Sequence, residues 1–375
     1  MKRETRMSAP TMNRRGFIAM SAAALGATSA GVAAPWNASG SRAVDASDHH
    51  HEPGADGFVD AVLTAFESHR LVAVGEVHGL QEHHDALAEL LTDPRLPRVV
   101  DDVVVEFGNA LYQATMDRFT ADLPVDNADL RQVWRNTTQS PLATWDAPVY
   151  EYVYRTIRAV NTLLPPHRRI RVLLGDPPID WSKITSLDEL NIFLMQRDTQ
   201  AASVVAREVL EKGRRALICY GADHVLHGSM IERQTGERPY VIATLVPIAG
   251  DPGGLARRLS QYPRRTVIPT SVAWLGSFDA GNVFPAPSPS PSGEPINRNC
   301  GIPLGSAIDA GLYVGQPKDL TVSRENPAIY LDPAYWAELQ RRNALYGGVI
   351  NLDTYRQEQP VRYEPQILPP WLQCP

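Results

Sequence analysis

The sequence has few cysteines, no long apolar runs and no excess of positive charge. Three cysteines in 375 residues are too few for a disulfide scaffold. The formal net charge of -6 argues against a nucleic-acid partner, because a nucleic-acid-binding surface must be basic. The sequence contains no Gly-x-Ser-x-Gly elbow and no phosphate-cradling Walker loop. A serine hydrolase therefore lacks its usual nucleophile, and a nucleotide hydrolase is excluded.

The first 34 residues have the parts of an export signal. Arg14 and Arg15 precede Gly16 and Phe17, and a mildly apolar stretch continues as far as Ala34. This arrangement is typical of a twin-arginine signal peptide. The stretch is too short and too weakly apolar to anchor well in a bilayer, and no later segment approaches a membrane span. We expect export by the twin-arginine translocase, a periplasmic or secreted location, and no membrane span after cleavage.

The cysteines are interpreted in the light of this location. Cys219 lies in an apolar run and is expected to be a buried thiol. Cys300 and Cys374 lie in the irregular C-terminal part of the sequence. An oxidising compartment would permit them to pair, and the sequence leaves open whether they do.

The rest of the chain alternates between helical spacing and short apolar runs. Residues 35–56 are polar and predict a disordered linker, whereas the runs that follow predict buried strands. One long helix is predicted between the third and fourth apolar runs, over residues 187–212. The predicted strands cover residues 71–74, 103–106, 170–174, 216–220 and 241–246.

This alternation predicts an α/β fold with a mostly parallel sheet and helices on both faces. Residues 110–165 form a helical block that is too long for a simple crossover, so we expect a helical cap inserted between strands 2 and 3. The predicted domain covers residues 57–262. Residues 263–375 are predicted to be an irregular, Pro-rich extension that packs on the same domain. The stretch 285–293 is predicted to be a loop, because proline cannot donate to a strand ladder.

Polar residues stand at the ends of four predicted strands. In an open parallel sheet, ligands bind beyond the carboxyl ends of the strands. A single such residue could simply cap a helix or form a turn, but four together predict a shared cleft. Glu106 gives the strongest evidence, because it continues an apolar strand where a buried, unpaired carboxylate would destabilise the fold. The four strand ends carry Glu76 and His78, Glu106, Asp176, and Asp223 and His224.

Two of these strand ends share the pattern Gly-x-x-His. Gly75 precedes His78, and Gly221 precedes His224. In each case the glycine is expected to permit a sharp exit from the strand, so that the histidine points over the sheet edge. Imidazole titrates near neutrality and can act as a general base or a metal ligand. Neighbouring carboxylates would orient the imidazoles or complete a metal site.

Other polar residues near these motifs have simpler interpretations. His83 and His84 follow on one helix, and we expect at least one of them to face solvent, so neither is assigned to the site. His227 lies one helical turn beyond His224, and its membership of the site is left open. Taken by themselves, Arg197 and Asp198 have the appearance of an ordinary pair on a helix surface.

In their order along the chain, these motifs resemble those of the superfamily that joins erythromycin esterases, ChaN-type haem-binding proteins and the TraB and Tiki proteins. The resemblance covers roughly residues 58–248 and rests on short motifs in a characteristic order. The C-terminal third of the chain shows none of them. The motifs are Gly75 to His78 in the form GEVH, Glu106, the pair Arg197-Asp198, and Gly221 to His224.

The resemblance implies different chemistry for each branch. Esterase-like members use the first histidine as a base on water, which implies His78 as the base with glutamate assistance and no obligatory metal. Tiki-like members are metal-dependent proteases, which implies His78, Glu106 and His224 as ligands of a divalent metal. ChaN-like members bind haem at a surface without catalysis.

The leading hypothesis is an exported hydrolase that acts on a small-molecule or peptide substrate. The alternative is a ChaN-like protein that binds haem or iron without catalysis. A divalent metal and haem both stay open as cofactors. The resemblance implies that Arg197 anchors the carboxylates of the site or an anionic group. Residues expected to bind a cofactor are Arg197, Asp176 and Asp223, and the expected catalytic residues are His78, Glu76, Glu106 and His224.

Overall fold

A computed structural model describes residues 55–289, 295–357 and 361–375. The predicted signal peptide, residues 1–34, lies outside the described residues, as does most of the predicted linker. Asp56, the last linker residue, is not disordered as predicted, because it pairs with Val267 in a short strand. No helix in the described ranges combines the length and the apolar character needed to cross a bilayer.

The core of the molecule is an eight-stranded, mostly parallel sheet, which confirms the predicted fold class. Its order is β1-β7-β10-β6-β2-β5-β3-β4, and only β7 runs opposite to the other strands, pairing antiparallel with both β10 and β1. A separate antiparallel ribbon is formed by β8 and β9. The strands are β1 Asp56–Gly57, β2 Leu71–Glu76, β3 Asp102–Asn109, β4 Arg171–Asp176, β5 Ala216–Gly221, β6 Tyr240–Thr244, β7 Thr266–Pro269, β8 Pro287–Pro289, β9 Pro295–Asn297 and β10 Ala310–Tyr313.

Apolar sequence explains the central strands. β2, β3 and β5 are buried along their whole length, as expected for parallel strands that are covered on both faces. Their register brings their carboxyl ends to one edge of the sheet, because Glu76 lies opposite Gly221 and Val105 lies opposite Cys219. The chemically capable strand ends are therefore neighbours.

Helices cover both faces of the sheet and form the predicted cap. Between β3 and β4 the chain forms three helices, α3 to α5, which agrees with the predicted insertion. The helices are α1 Phe58–Ser68, α2 Gln81–Thr92, α3 Gln113–Thr120, α4 Asn127–Arg135, α5 Pro148–Thr162, α6 Leu187–Leu194, α7 Arg197–Val204, α8 Ala222–Val225, α9 Met230–Thr235, α10 Leu255–Leu259, α11 Ala273–Gly276, α12 Pro333–Leu345 and α13 Leu352–Gln357.

The predicted helix over residues 187–212 is broken. It begins with a capping box in which Ser186 and Glu189 satisfy each other's backbone amides. α6 then ends at Leu194, and α7 begins at Arg197 and continues into a π-helical turn over Val205–Leu210. The break places Arg197 in the first turn of a new helix.

The C-terminal part contributes more to the sheet than was predicted. Residues 263–375 supply two of the eight strands, β7 and β10, and do not only pack on the sheet. These strands have four residues each, too short to give a clear apolar run. Part of the predicted 285–293 loop pairs as β8, and residues 290–294 lie outside the described residues.

Cys300 and Cys374 form a disulfide, with their Cα atoms 5.3 Å apart. This bond ties the last residues of the chain to the region after β9 across a sequence separation of 74. Cys219 is free and buried in β5, as predicted.

We predict that the unfolded but unreduced protein exposes one reactive thiol, whereas the reduced protein exposes three. Replacing Cys300 and Cys374 by serine should lower the free energy of unfolding by about 2–4 kcal/mol, because the disulfide restricts the unfolded chain. Thiol counting and denaturant titration measure both effects. As a control, the double variant should be insensitive to reductant. A thiol count of three before reduction would contradict the pairing.

Candidate active site at the carboxyl edge of the sheet

The candidate site is built on two buried glutamates at neighbouring strand ends. Glu76 is the last residue of β2, and Glu106 lies in the second half of β3. Their exposed fractions are 5% and 3%. A buried carboxylate must be paired or it shifts to the neutral form, so the partners of these two residues define the site.

Glu76 binds the first histidine of the predicted motifs. Its Oε1 lies 2.7 Å from Nδ1 of His78, which follows β2 by two residues. The ring of His78 also meets Trp145 of the cap edge-on, with 4.8 Å between ring centroids. Because a carboxylate only accepts hydrogen bonds, this contact places the proton on Nδ1 and leaves the Nε2 lone pair available in the neutral ring.

Glu106 is held by two donors from different elements. Its Oε2 accepts the backbone amide of Gly221 at 2.7 Å, and its Oε1 accepts Nη2 of Arg197 at 2.8 Å. Burial would raise the pKa of Glu106, but the charges of His224, His78 and Arg197 outweigh it, so the pKa is lowered. Glu106 is therefore a carboxylate in the folded protein.

His224 forms a second histidine–carboxylate pair at the same place. Its Nδ1 lies 2.6 Å from Oδ1 of Asp198, on the first turn of α7. Its Nε2 lies 3.5 Å from Oε1 of Glu106, while Nε2 of His78 lies 3.9 Å from that same oxygen. The two imidazoles therefore converge on one carboxylate, as the two Gly-x-x-His motifs predicted.

The charges of this network favour protonation of both rings. Burial lowers the pKa of His78, but Glu106 and Glu76 raise it by more, so that it lies above its usual value. For His224, burial is likewise outweighed by Glu106 and by the hydrogen bond to Asp198. Each imidazole is therefore a stronger base than a free histidine.

Gly221 is required for a reason other than the predicted sharp turn. Its backbone has φ -51° and ψ 136°, which any residue can adopt. A Cβ at this position, however, would lie 2.8 Å from Cε1 of His78 and 3.2 Å from Oε2 of Glu106. The second motif thus needs glycine because the first histidine packs directly against its backbone.

Arg197 and Asp198 are not an ordinary surface pair. Arg197 is partly buried and also donates to Oε1 of Gln139, in the cap, at 3.3 Å. Arg197 thus contacts Glu106, and Asp198 contacts His224. The helix break at residues 195–196 allows both contacts, because it starts a new helix at Arg197.

His83 and His84 are both buried, with exposed fractions of 1% and 2%, so the prediction that one faces solvent is wrong. Nε2 of His84 lies 2.9 Å from Oε2 of Glu76, and Tyr150 of α5 donates to Oε1 of Glu76 at 3.2 Å. His83 instead contacts Thr244 at 2.7 Å. The sequence offered only one signal for His84, its position on the helix that directly follows His78.

Asp176 and Asp223 lie near the network, because both interact electrostatically with Glu106. Asp176 is buried and accepts hydrogen bonds from the amide and the hydroxyl of Thr138, whereas Asp223 is exposed. His227 does not pair with Glu106, because its Nε2 lies 2.9 Å from Asp309, just before β10.

The predicted metal ligands lie together but do not form a ligand set. In the ranges that the structure describes, no three His, Cys, Asp or Glu side chains are grouped so as to hold a metal ion. The guanidinium of Arg197 lies 2.8 Å from the Glu106 oxygen that both imidazoles face, and its positive charge opposes a divalent cation there. The arrangement of His78, Glu106 and His224 therefore does not fit a bound metal.

Comparisons with known proteins identify no family. No family model and no curated protein matches the chain. A solved Bacillus cereus protein is 12% identical over 70% of this chain and 91% of its own, with a TM-score of 0.47. ChaN of Campylobacter jejuni, solved with cofacially bound heme, is 12% identical over 50% and 85%, with a TM-score of 0.34. The type III effector HopBA1 is 15% identical over 52% and 85%, also with a TM-score of 0.34. At these values the similarities do not bear on function.

Asp176 predicts a measurable pH dependence of stability. Burial raises its pKa to about 7 in the folded protein, above the usual value near 3.8. Folding therefore favours the protonated carboxyl. Its contribution to the free energy of unfolding is complete below pH 3.8 and is lost as the pH rises towards 7. Between pH 4 and pH 7, the free energy of unfolding should fall in the parent protein by on the order of 2–4 kcal/mol more than it falls in Asp176→Asn.

Denaturant titrations at several pH values measure this difference. Asp180→Asn is the matched control, because Asp180 lies on the loop that follows Asp176 and its contacts with Ser182 and Lys183 are at the surface. Parallel curves for the parent protein and Asp176→Asn would show that the buried carboxyl does not titrate in this range.

Proposed function

We propose that this protein is a hydrolase that activates water with His78. One observation carries the proposal: Glu76 fixes Nδ1 of a partly buried histidine at 2.7 Å, while its Nε2 faces a second, independently anchored imidazole across Glu106. Among the described residues, Nε2 of His78 makes no hydrogen bond. A base with an oriented ring and a free lone pair is what general-base catalysis requires.

The proposed reaction begins with a water molecule bound to Nε2 of His78. As the water oxygen attacks the carbonyl carbon of an ester, its proton passes to Nε2, and Glu76 stabilises the imidazolium that forms. The carbonyl electrons move to its oxygen and give a tetrahedral intermediate. When that intermediate collapses, the carbon–oxygen bond to the alcohol breaks and His78 returns the proton to the leaving oxygen.

Positive charge in the site supports the negatively charged intermediate. Protonated His224, held by Asp198, and Arg197 of the same network are the groups that can face a developing oxyanion. Glu106 keeps both in place and remains a carboxylate. In this scheme the acids position the bases, and no step requires a metal.

The proposal agrees with the resemblance to the erythromycin esterase branch of the superfamily noted above. It differs from the Tiki-like branch, whose chemistry needs metal ligands, and from the ChaN-like branch, whose members bind haem. We further propose that the protein works outside the cytoplasm. The twin-arginine motif and the Cys300–Cys374 disulfide both support an oxidising location.

We expect the mature protein to hydrolyse simple esters such as 4-nitrophenyl butyrate, and His78→Ala to lower kcat/KM by about 10²–10⁴ because the base is lost. The measurement is a steady-state assay, repeated with a chelator and after addition of hemin. Activity should be insensitive to the chelator.

His227→Gln is the matched control, because that imidazole is anchored by Asp309 and lies outside the network. It should keep the activity of the parent protein. Unchanged hydrolysis in His78→Ala would contradict the proposal. Loss of activity with chelator would favour the Tiki-like mechanism. A Soret band on hemin addition, with no ester hydrolysis, would favour the haem-binding alternative.

A further inference from the structure

We infer that His84 and Tyr150 are positioning residues that clamp Glu76 in the orientation that serves His78. This inference rests on the proposed role of His78 as a base. The clamp consists of three contacts to one carboxylate, from α2, α5 and the loop after β2. No sequence motif pointed to either residue.

The contacts divide between the two oxygens of Glu76. Oε1 lies 2.7 Å from Nδ1 of His78 and accepts the hydroxyl of Tyr150 at 3.2 Å. Oε2 lies 2.9 Å from Nε2 of His84. Both oxygens are therefore engaged, and the carboxylate cannot rotate away from His78 without losing a partner.

The partners of Glu76 are themselves held in place. The hydroxyl of Tyr150 accepts the backbone amide of Gly79 at 2.7 Å, and the rings of Tyr150 and His84 meet edge-on at 4.9 Å. His84 is 2% exposed, and among the described residues neither of its ring nitrogens makes a hydrogen bond, so the 2.9 Å approach of Nε2 to Glu76 is a close electrostatic contact. A polar ring buried this deeply without full hydrogen bonding costs stability, so a functional role explains its presence.

The neighbouring ionisable groups favour the same interpretation. Burial would raise the pKa of Glu76, but its contacts with His78 and His84 lower that pKa well below the usual value. His83, on the same helix, has its pKa lowered to about 3 by burial and stays neutral. The titratable groups that face Glu76 and His84 from the packed elements are His78, His83, Tyr150 and Cys219.

Removing the clamp should change the titration of His78 as well as the free energy of unfolding. In His84→Leu, Oε2 of Glu76 loses its partner, and the carboxylate becomes free to turn away from His78. The contact with Glu76 raises the pKa of His78, so its loss moves the titration midpoint of His78 to lower pH. Because the base is also less well oriented, kcat for 4-nitrophenyl butyrate should fall by roughly tenfold.

Three variants separate positioning from packing. His84→Gln keeps an N–H donor near Oε2 and should restore most of kcat and the parent midpoint. Tyr150→Phe removes the donor to Oε1 and should move the midpoint in the same direction as His84→Leu. His83→Gln is the control on the same helix, and it should leave the His78 midpoint unchanged.

The experiment is an NMR titration of the His78 ring in each folded variant, paired with the ester assay. The titration requires no substrate, so it tests the clamp even if the proposed function fails. Failure of the proposed function is recognised separately, by unchanged hydrolysis in His78→Ala. If His84→Leu and Tyr150→Phe titrate like the parent protein, or if His83→Gln shifts equally, the two residues only pack and the inference is overturned.

Discussion

The structure of the site depends on keeping Glu106 ionised inside the protein. A carboxylate with an exposed fraction of 3% would be strongly destabilising if it were left unpaired. It is stabilised by four groups from four other elements: the amide of Gly221, the guanidinium of Arg197, and the imidazoles of His78 and His224. Because each of these groups comes from a different part of the chain, the charge on Glu106 links the strand ends, the start of α7 and the loop after β2.

This constraint explains features that otherwise look unrelated. Gly221 has no Cβ because its backbone must donate to Glu106 while the ring of His78 packs against it. The helix predicted over residues 187–212 is broken, and Arg197 enters the site from the first turn of the second piece. Nδ1 of each imidazole contacts a separate carboxylate, Glu76 for His78 and Asp198 for His224. These contacts turn both Nε2 atoms towards the shared carboxylate. The same charges that stabilise the fold therefore make both rings stronger bases.

Much of this arrangement could be predicted from the sequence, because it follows from apolar runs and strand ends. β2, β3 and β5 each contain a continuous apolar run, and parallel strands place their carboxyl ends together. β7 and β10 were not predicted, since four residues in a Pro-rich region give no periodic signal. The role of His84 was also missed. Burial of two consecutive residues depends on how α2 is enclosed by β6 and α5, and that depends on tertiary packing rather than on helical spacing.

The central claim is that one carboxylate governs both imidazoles. It can be measured by following the NMR titrations of His78 and His224 in the parent protein and in Glu106→Gln, where the amide preserves shape and a hydrogen-bond acceptor but removes the charge. Since Glu106 raises the pKa of both rings, we expect both midpoints to fall together in the variant. If only one midpoint moves, or neither does, the two histidines do not share Glu106 and the proposed centre is not a single site.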